Sequence, residues 1–239
     1  MAAEPLIRVR NLRYRYEDGT LALDGLSFEL YPGETVAVLG PNGSGKTTFV
    51  LHLNGLLRGE GEIIVCGLRI EKGNLEEIRR RVGLLFQDPD EQLFMPTVLE
   101  DVAFALLCRG MDPAEAERRA RAALAQVGLE GAASRPPYHL SAGEKRRAAL
   151  AAVLASQPEI LVLDEPTTYL DPPARRELIT LLGALPHAKL IVTHDADFAA
   201  AIADRAVFLH RGKIVAEGRV SELVHRYGWT PHTSGRRER

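Results

Sequence analysis

The sequence is poor in the residues that redox and metal centres need. Its 239 residues include two cysteines, Cys66 and Cys108. They are too few and too far apart for a CxxC redox pair or a zinc site, so both are read as buried reduced thiols. No HExxH motif and no Cys/His ligand set is present; His225 and His232 stand singly near the end, as in a solvated tail. Long apolar runs are lacking as well. The stretch 148–155 is far short of the ~20 residues that a spanning helix needs. Glu4 and Pro5 interrupt a start that has no apolar core, so no signal peptide and a cytosolic chain are expected. Nor is there an excess of charge. Thirty Lys and Arg against thirty-two Asp and Glu leave a net charge of −2, which argues against a basic nucleic-acid-binding module and against an acidic tail protein. Coiled-coil heptads and tandem duplication are absent.

What is present is an ordinary globular balance, 46% hydrophobic and 26% charged. The length suits one large domain or a core carrying an insertion. The opening third reads as strands and turns. Residues 7–14 alternate apolar and basic, Glu17-Asp18-Gly19 is a hairpin-type turn, and 26–30 reads as a second strand. Thr35-Val36-Ala37-Val38-Leu39 is apolar throughout, as a strand covered on both faces requires. A glycine-rich loop follows, then a helix-forming stretch expected to end near Gly59. Residues from about 88 to 137 look like a helical insertion. Thr97 caps one helix, and Asp112-Pro113-Ala114-Glu115 starts another that stops at Gly128. Strands at 160–163 and 190–192 then alternate with helices at 142–156 and 174–185, and a hairpin turns at Arg211-Gly212. The pattern predicts an α/β fold with a mostly parallel sheet, an N-terminal antiparallel region and a helical insertion. One domain over 1–223 is expected, its core formed by about 1–87 and 138–223. Residues 224–239 read as a loosely ordered tail.

Gly40-Pro41-Asn42-Gly43-Ser44-Gly45-Lys46-Thr47 fits G-x-x-x-x-G-K-[ST], and Thr48 follows it. Glycines let such a loop wrap so that backbone N–H groups face phosphate oxygens, and the next helix N-terminus adds positive partial charge. Lys46 is expected to neutralise the β- and γ-phosphates and Thr47 to ligate Mg²⁺. A chance match in a chain of this length is ~1% from average residue frequencies. A second apolar strand ends in Asp164-Glu165, where open α/β sheets bind ligands. Asp164 is the candidate to hold Mg²⁺ through water and Glu165 the candidate base for the attacking water.

Leu140-Ser141-Ala142-Gly143-Glu144 upstream of Leu163-Asp164-Glu165-Pro166-Thr167 resembles the signature of ATP-binding-cassette ATPases. The resemblance runs from about Leu6 to Leu223 with the motifs in family order. It implies that Tyr16 stacks on adenine, that Gln87 reaches Mg²⁺ and the water, and that His194 contacts the γ-phosphate and supports Glu165. It further implies that Ser141 and the backbone of Ala142 and Gly143 meet the γ-phosphate held by a second subunit, with Glu144 of the same motif at that nucleotide and Asp171 coupling the two sites. Three positions depart from the pattern. Ala142 replaces a glycine and brings a methyl that can crowd the phosphate; Glu144 replaces glutamine, an acid near an anion unless it faces a cation; Tyr169 is bulkier than usual.

Gln87-Asp88-Pro89-Asp90-Glu91-Gln92-Leu93-Phe94 and Tyr14-Arg15-Tyr16-Glu17-Asp18-Gly19 are similar to the ATPases of energy-coupling-factor importers, especially those for cobalt and nickel ions. That likeness implies a homodimer, or a heterodimer with a second such ATPase, on the cytoplasmic face of the bacterial membrane. Its partners there are a transmembrane coupling protein with arginine motifs and a substrate-specific membrane component. Asp88, Asp90 and Glu91 are expected to receive those arginines; otherwise they form only a Pro-containing turn. Importers of vitamins or other solutes, non-transport cassette proteins, and a nucleotide-binding scaffold remain as alternatives.

Overall fold

The computed structural model describes residues 3–228. Strand β1 (Ile7–Arg15) buries alternate positions over its first half and pairs antiparallel with β2 (Leu21–Leu30). The latter begins five residues before the expected 26, because the pairing continues through Arg13↔Asp24 to Arg15↔Leu21. The apolar run at 35–39 is β3 (Thr35–Leu39), buried at every position. Helix α1 (Lys46–Leu53) ends well short of Gly59. Gly55 takes a φ of 68° and donates to the His52 carbonyl, which turns the chain toward β4 (Glu60–Val65).

Next come β5 (Leu68–Arg69), α2 (Leu75–Arg81) and β6 (Val82–Leu85), a region where the sequence offered no assignment. Helices α3 (Val98–Cys108) and α4 (Pro113–Gln126) start on the predicted caps, Thr97 accepting from Glu100 N and Asp112 from Ala114 N and Glu115 N. They pack against α5 (Ala142–Ala155) through Val102, Leu106, Ala120 and Leu124 on one side and Ala148 and Ala151 on the other. The chain closes with β7 (Ile160–Asp164), α6 (Pro172–Ala184), β8 (Ala188–Val192), α7 (Ala196–Ile202), β9 (Arg205–His210), β10 (Lys213–Gly218) and α8 (Val220–Arg226).

Two sheets result, an antiparallel β2-β1-β4-β5 and a six-stranded β10-β9-β3-β8-β7-β6 that is parallel except at β10. The period of two along the parallel strands sorts their side chains between layers. Val36, Val38, Ile160 and Val162 face the small sheet and α1, while Leu161 and Leu163 face α5 and α6, and Ala37 and Leu39 face α7 and α8. Both faces of the large sheet are thereby buried, the condition a parallel sheet requires.

Two expectations are corrected here. The tail does not begin at 224, since α8 runs to Arg226 and Tyr227 stacks on Phe208 with ring centroids 4.0 Å apart. His225 is therefore a last-turn helical residue, while His232 and the terminal basic cluster lie outside the described residues. Nor are the cysteines both buried. Cys66 is half-buried, with burial pushing its thiol up to about 11, and Cys108 is exposed at the end of α3.

Candidate active site

Four adjacent parallel strands deliver the predicted residues at their C-terminal ends. The glycine loop leaves β3, Gln87 follows β6, Asp164 and Glu165 close β7, and His194 follows β8. In the loop, Gly45 is the N-cap of α1 with φ 104°, and no side chain caps that helix. A Cβ at Gly45 would overlap the Ala22 carbonyl oxygen, whereas one at Gly43 (φ 74°) would meet nothing. The backbone N–H groups at the start of α1 are thus left without a side-chain partner from the protein.

Lys46 is buried, its Nζ donating to the carbonyls of Gly40 at 2.8 Å and Pro41 at 3.1 Å. Burial lowers its pKa, and Glu165 and Asp164 act in the opposite direction. Asp164 is pushed the other way by burial, opposed by a hydrogen bond from the Thr47 hydroxyl. Its Oδ1 and the Ser44 hydroxyl are buried without a hydrogen-bond partner. A buried carboxylate oxygen with no donor, beside a threonine hydroxyl and below a loop of N–H groups, fits a cation carried on a phosphate chain.

Glu165 sits at φ 46°, a left-handed conformation that costs a non-glycine residue about 1–3 kcal/mol. Its N–H donates to Val192 O at 2.8 Å, and its Oε2 accepts from the His194 backbone N–H at 3.2 Å. The same oxygen meets His194 Nδ1 at 2.7 Å. A buried carboxylate fixed by two groups of the neighbouring strand end is oriented for proton acceptance. Arg175 extends the network, bonding Asp195 at 2.6 Å, and Asp195 caps α7.

Tyr16 lies just past β1, partly exposed, with its hydroxyl 2.9 Å from Thr48 Oγ1 and its ring edge-on to Tyr14. Gln87 is exposed, and Asp88 caps a short 3-10 turn by accepting from Asp90 N at 2.9 Å. Asp90 already has a partner within the chain, Lys145 at 2.7 Å. Glu91 borders a cavity of about 250 Å³ that is also lined by the exposed Phe94 and Phe104 and by Arg79, Arg80 and Arg109.

The Ser141 segment is built separately. Ser141 caps α5 by accepting from Glu144 N at 3.2 Å, and Glu144 Oε2 accepts from Ser141 N at 2.8 Å. The acid that looks misplaced in the sequence is therefore a helix cap, and Arg135 neutralises it at 3.0 Å. The Ser141 hydrogen bonds and Arg135 hold the Glu144 carboxyl below the usual range. Ser141 and Ala142 face solvent. Gly143 lies against α6, whose N-cap Asp171 accepts from Ala174 N at 2.8 Å, and the bulky Tyr169 beside it is 80% exposed.

Residues 23–168 match the family described as ABC transporter. The chain belongs to the ABC transporter ATPase family. It is accordingly an ATP-binding, ATP-hydrolysing transporter subunit. A putative ABC transporter ATP-binding protein of Streptomyces avermitilis is 52% identical over 221 residues, covering 92% of this chain and 84% of the relative. The energy-coupling factor transporter ATP-binding protein EcfA of Methanocaldococcus jannaschii is 45% identical over 224 residues, 91% of this chain and 80% of that one. Among solved structures, CbiO1 from Clostridium perfringens, part of the ABC transporter complex CbiONQ, superposes with a TM-score of 0.84 at 34% identity, covering 94% of this chain and 92% of CbiO1. The dimeric cassette MJ0796 gives 0.80 at 30% identity, covering 90% and 98%.

Sequence reasoning missed three residues that shape this ABC ATPase site. Arg146, 1% exposed, donates to the carbonyls of Phe86 at 2.8 Å and Gln87 at 2.7 Å. Gln92 accepts from Phe86 N at 3.0 Å and donates to Leu84 O at 3.1 Å. Arg135 bonds Glu144 and the His139 carbonyl. Arg146 was silent because a basic residue in a basic stretch reads as solvated surface, and Arg135 because its partner Glu144 lies nine residues away, past a Pro-Pro turn. Gln92 belongs to the stretch that resembles the importer ATPases, but nothing in its spacing signals a bond back to Leu84.

Proposed function

We propose that this ATPase drives an energy-coupling-factor importer, two copies of the chain closing head to tail on two ATP molecules. The observation that carries the catalytic part is the 2.7 Å contact between His194 Nδ1 and the buried Glu165, at the strand ends beside Lys46. Lys46 and the N–H groups from Gly40 to Thr48 bind the triphosphate, and Tyr16 takes the adenine face. Thr47 and Asp164, with Gln87 at the loop edge, are the residues that would hold Mg²⁺, which when bound supplies positive charge to the β- and γ-phosphate oxygens. Glu165 accepts the proton of the attacking water, and His194 holds the carboxylate in place and faces the γ-phosphate. The leaving group is ADP, and the water oxygen ends on inorganic phosphate.

Ser141 and the backbone of Ala142 and Gly143 of one copy meet the γ-phosphate of the other, with Glu144 near that nucleotide as the cap of the same turn, and Asp171 joins the two sites. The exposed, self-capped start of α5 supports this, and so does the dimeric relative. The partner is a second copy, or a related ATPase in a heterodimer. The assembly sits on the cytoplasmic face of the membrane, held by a coupling protein; no described helix is long and apolar enough to cross it. The coupling protein docks at the Asp88–Glu91 turn, where Glu91 makes no ion pair among the described residues and Asp90 must exchange Lys145 for an incoming arginine. The cargo is a transition-metal ion, cobalt first and nickel next, a reading that rests on the resemblance of the Gln87–Phe94 stretch to cobalt and nickel importer ATPases.

Glu165→Gln keeps ATP binding, lowers turnover by ~10²–10⁴ as expected for loss of a general base, and accumulates a dimer with ATP. Light scattering of the ATP-loaded variant tests this, and a persistent monomer contradicts the head-to-tail arrangement. For the cargo, the complex reconstituted in vesicles is expected to take up Co²⁺ faster than Ni²⁺ in an ATP-dependent manner. Uptake of neither ion rejects the metal assignment while leaving the ATPase intact.

A further inference from the structure

The largest fully buried side chain in the described protein is a charged one, Arg146. It makes no ion pair among the described residues; its two terminal nitrogens go to consecutive backbone carbonyls, Phe86 and Gln87, and its Nε is buried without a partner. Burying a guanidinium without a counter-charge is costly, and an apolar residue of similar volume would serve stability at least as well. The contacts instead serve position. Phe86 is held from both sides, its N–H by Gln92 and its carbonyl by Arg146. One residue earlier on the same helix, Lys145 holds Asp90 at 2.7 Å, the far end of the same loop.

Helix α5 begins at Ser141, so Arg146 lies five residues, or ~7.5 Å of helix rise, from the turn that meets the second copy's nucleotide. The capping box and Arg135 make that turn rigid. We propose that Arg146 is a positioning residue that fastens the Gln87 loop to α5, so that displacement of the Ser141 turn on closure is delivered to Gln87 of the same protomer. The proposal rests on the two-copy reading above. Gln87 is the link because its side chain faces solvent while its backbone carbonyl is anchored. Closure against the neighbouring copy thereby adjusts the site that the protomer itself carries, and the Phe94–Phe104 surface beyond the loop moves with it.

Hydrogen exchange of the full-length Glu165→Gln protein, with and without Mg²⁺ and ATP, tests the connection. In this parent, ATP slows exchange in both 140–146 and 84–92. Adding Arg146→Met leaves the protection at 140–146 and removes most of that at 84–92. In the otherwise native chain the same substitution lowers kcat by about tenfold, the scale of one charge-assisted hydrogen bond, and leaves KM within about twofold. Arg146→Lys, able to reach one carbonyl, restores part of the protection at 84–92. Equal protection at 84–92 in the Met variant and the parent overturns the proposal, and so does joint loss of both segments in a variant that melts normally. If the Met variant does not fold, the Lys variant decides, and undiminished protection at 84–92 overturns the proposal. Absence of protection at 140–146 in the parent rejects the two-copy reading itself, and the fastening falls with it.

Discussion

The starts of α1 and α5 offer the same chemistry, the N–H groups of a helix's first turn, in opposite states. At α1 the cap is Gly45, no side chain caps the helix, and no acid stands in its first turn. Lys46 and Thr48 in that turn are buried, and the neighbouring Asp164 carries an oxygen with no partner. At α5, Ser141 and Glu144 cap each other, Glu144 is neutralised by Arg135, and the turn faces solvent. A site that grips an anion alone must keep its donors unspent and tolerate unsatisfied polar groups until the ligand arrives. A surface that meets an anion held elsewhere gains more from rigidity. It has only to present the Ser141 hydroxyl and the N–H groups of Ala142 and Gly143 in one orientation.

Alanine substitutions in the glycine loop separate these two requirements at α1 with the largest effect. Gly45→Ala places a methyl on the Ala22 carbonyl and forces a side chain into φ 104°. Strain and overlap together cost about 3 kcal/mol, a fall in the melting midpoint of roughly 6–12 °C for a domain of this size. ATP binding goes with it. Gly43→Ala has open space around its Cβ, so the strain of φ 74° acts alone, at about 1 kcal/mol. A methyl in that open space of the proposed phosphate loop is expected to crowd the triphosphate, so ATP affinity falls by at least as much as in Gly45→Ala despite a higher melting midpoint. Differential scanning fluorimetry and equilibrium ATP titration on the same samples read the two effects apart. If both variants melt alike and bind alike, the loop does not divide fold from ligand as its geometry indicates.

This division was partly legible in the residues themselves. The glycine loop, the acids after β7 and the histidine after β8 declare themselves because each follows an apolar strand, and buried parallel strands are the clearest runs in the chain. The parallel core follows for the same local reason, and the caps of α3 and α4 follow from Thr97 and Asp112 standing just before a helical run. The region of β4, β5, α2 and β6 was silent. In α2, Leu-Glu-Glu-Ile-Arg-Arg-Arg, only Ile78 is buried, so no apolar stripe betrays a helix. The end of α1 was misplaced because Gly55, not Gly59, takes the left-handed turn. Lys145-Arg146-Arg147 looks like a solvated basic face, and nothing local distinguishes the middle residue, which receives the Gln87 loop. Glu144 read as a liability because the cation that answers it, Arg135, stands nine residues upstream, beyond any helical spacing.

That last pair gives the finest test of the contrast between the two helix starts. Arg135 acts on α5 through a charge, since its guanidinium meets Glu144 Oε1 at 3.0 Å while Glu144 Oε2 holds Ser141 N. Both partners are partly exposed, with side chains 41% and 25% accessible, so the pair is worth about 0.7 kcal/mol, roughly threefold in a rate. In the proposed dimer, Arg135→Gln leaves an unanswered acid beside the second copy's phosphate, and kcat/KM for ATP falls about threefold. In a Glu144→Gln background the acid is gone, the capping contact to Ser141 N persists through the amide oxygen, and Arg135→Gln changes kcat/KM little. The coupling energy from the four proteins isolates the charge. A cycle that closes at zero, with Arg135→Gln equally damaging in both backgrounds, assigns Arg135 to its bond with the His139 carbonyl instead. The start of α5 would then be held by its backbone, as α1 is, and the contrast between them would rest on exposure alone.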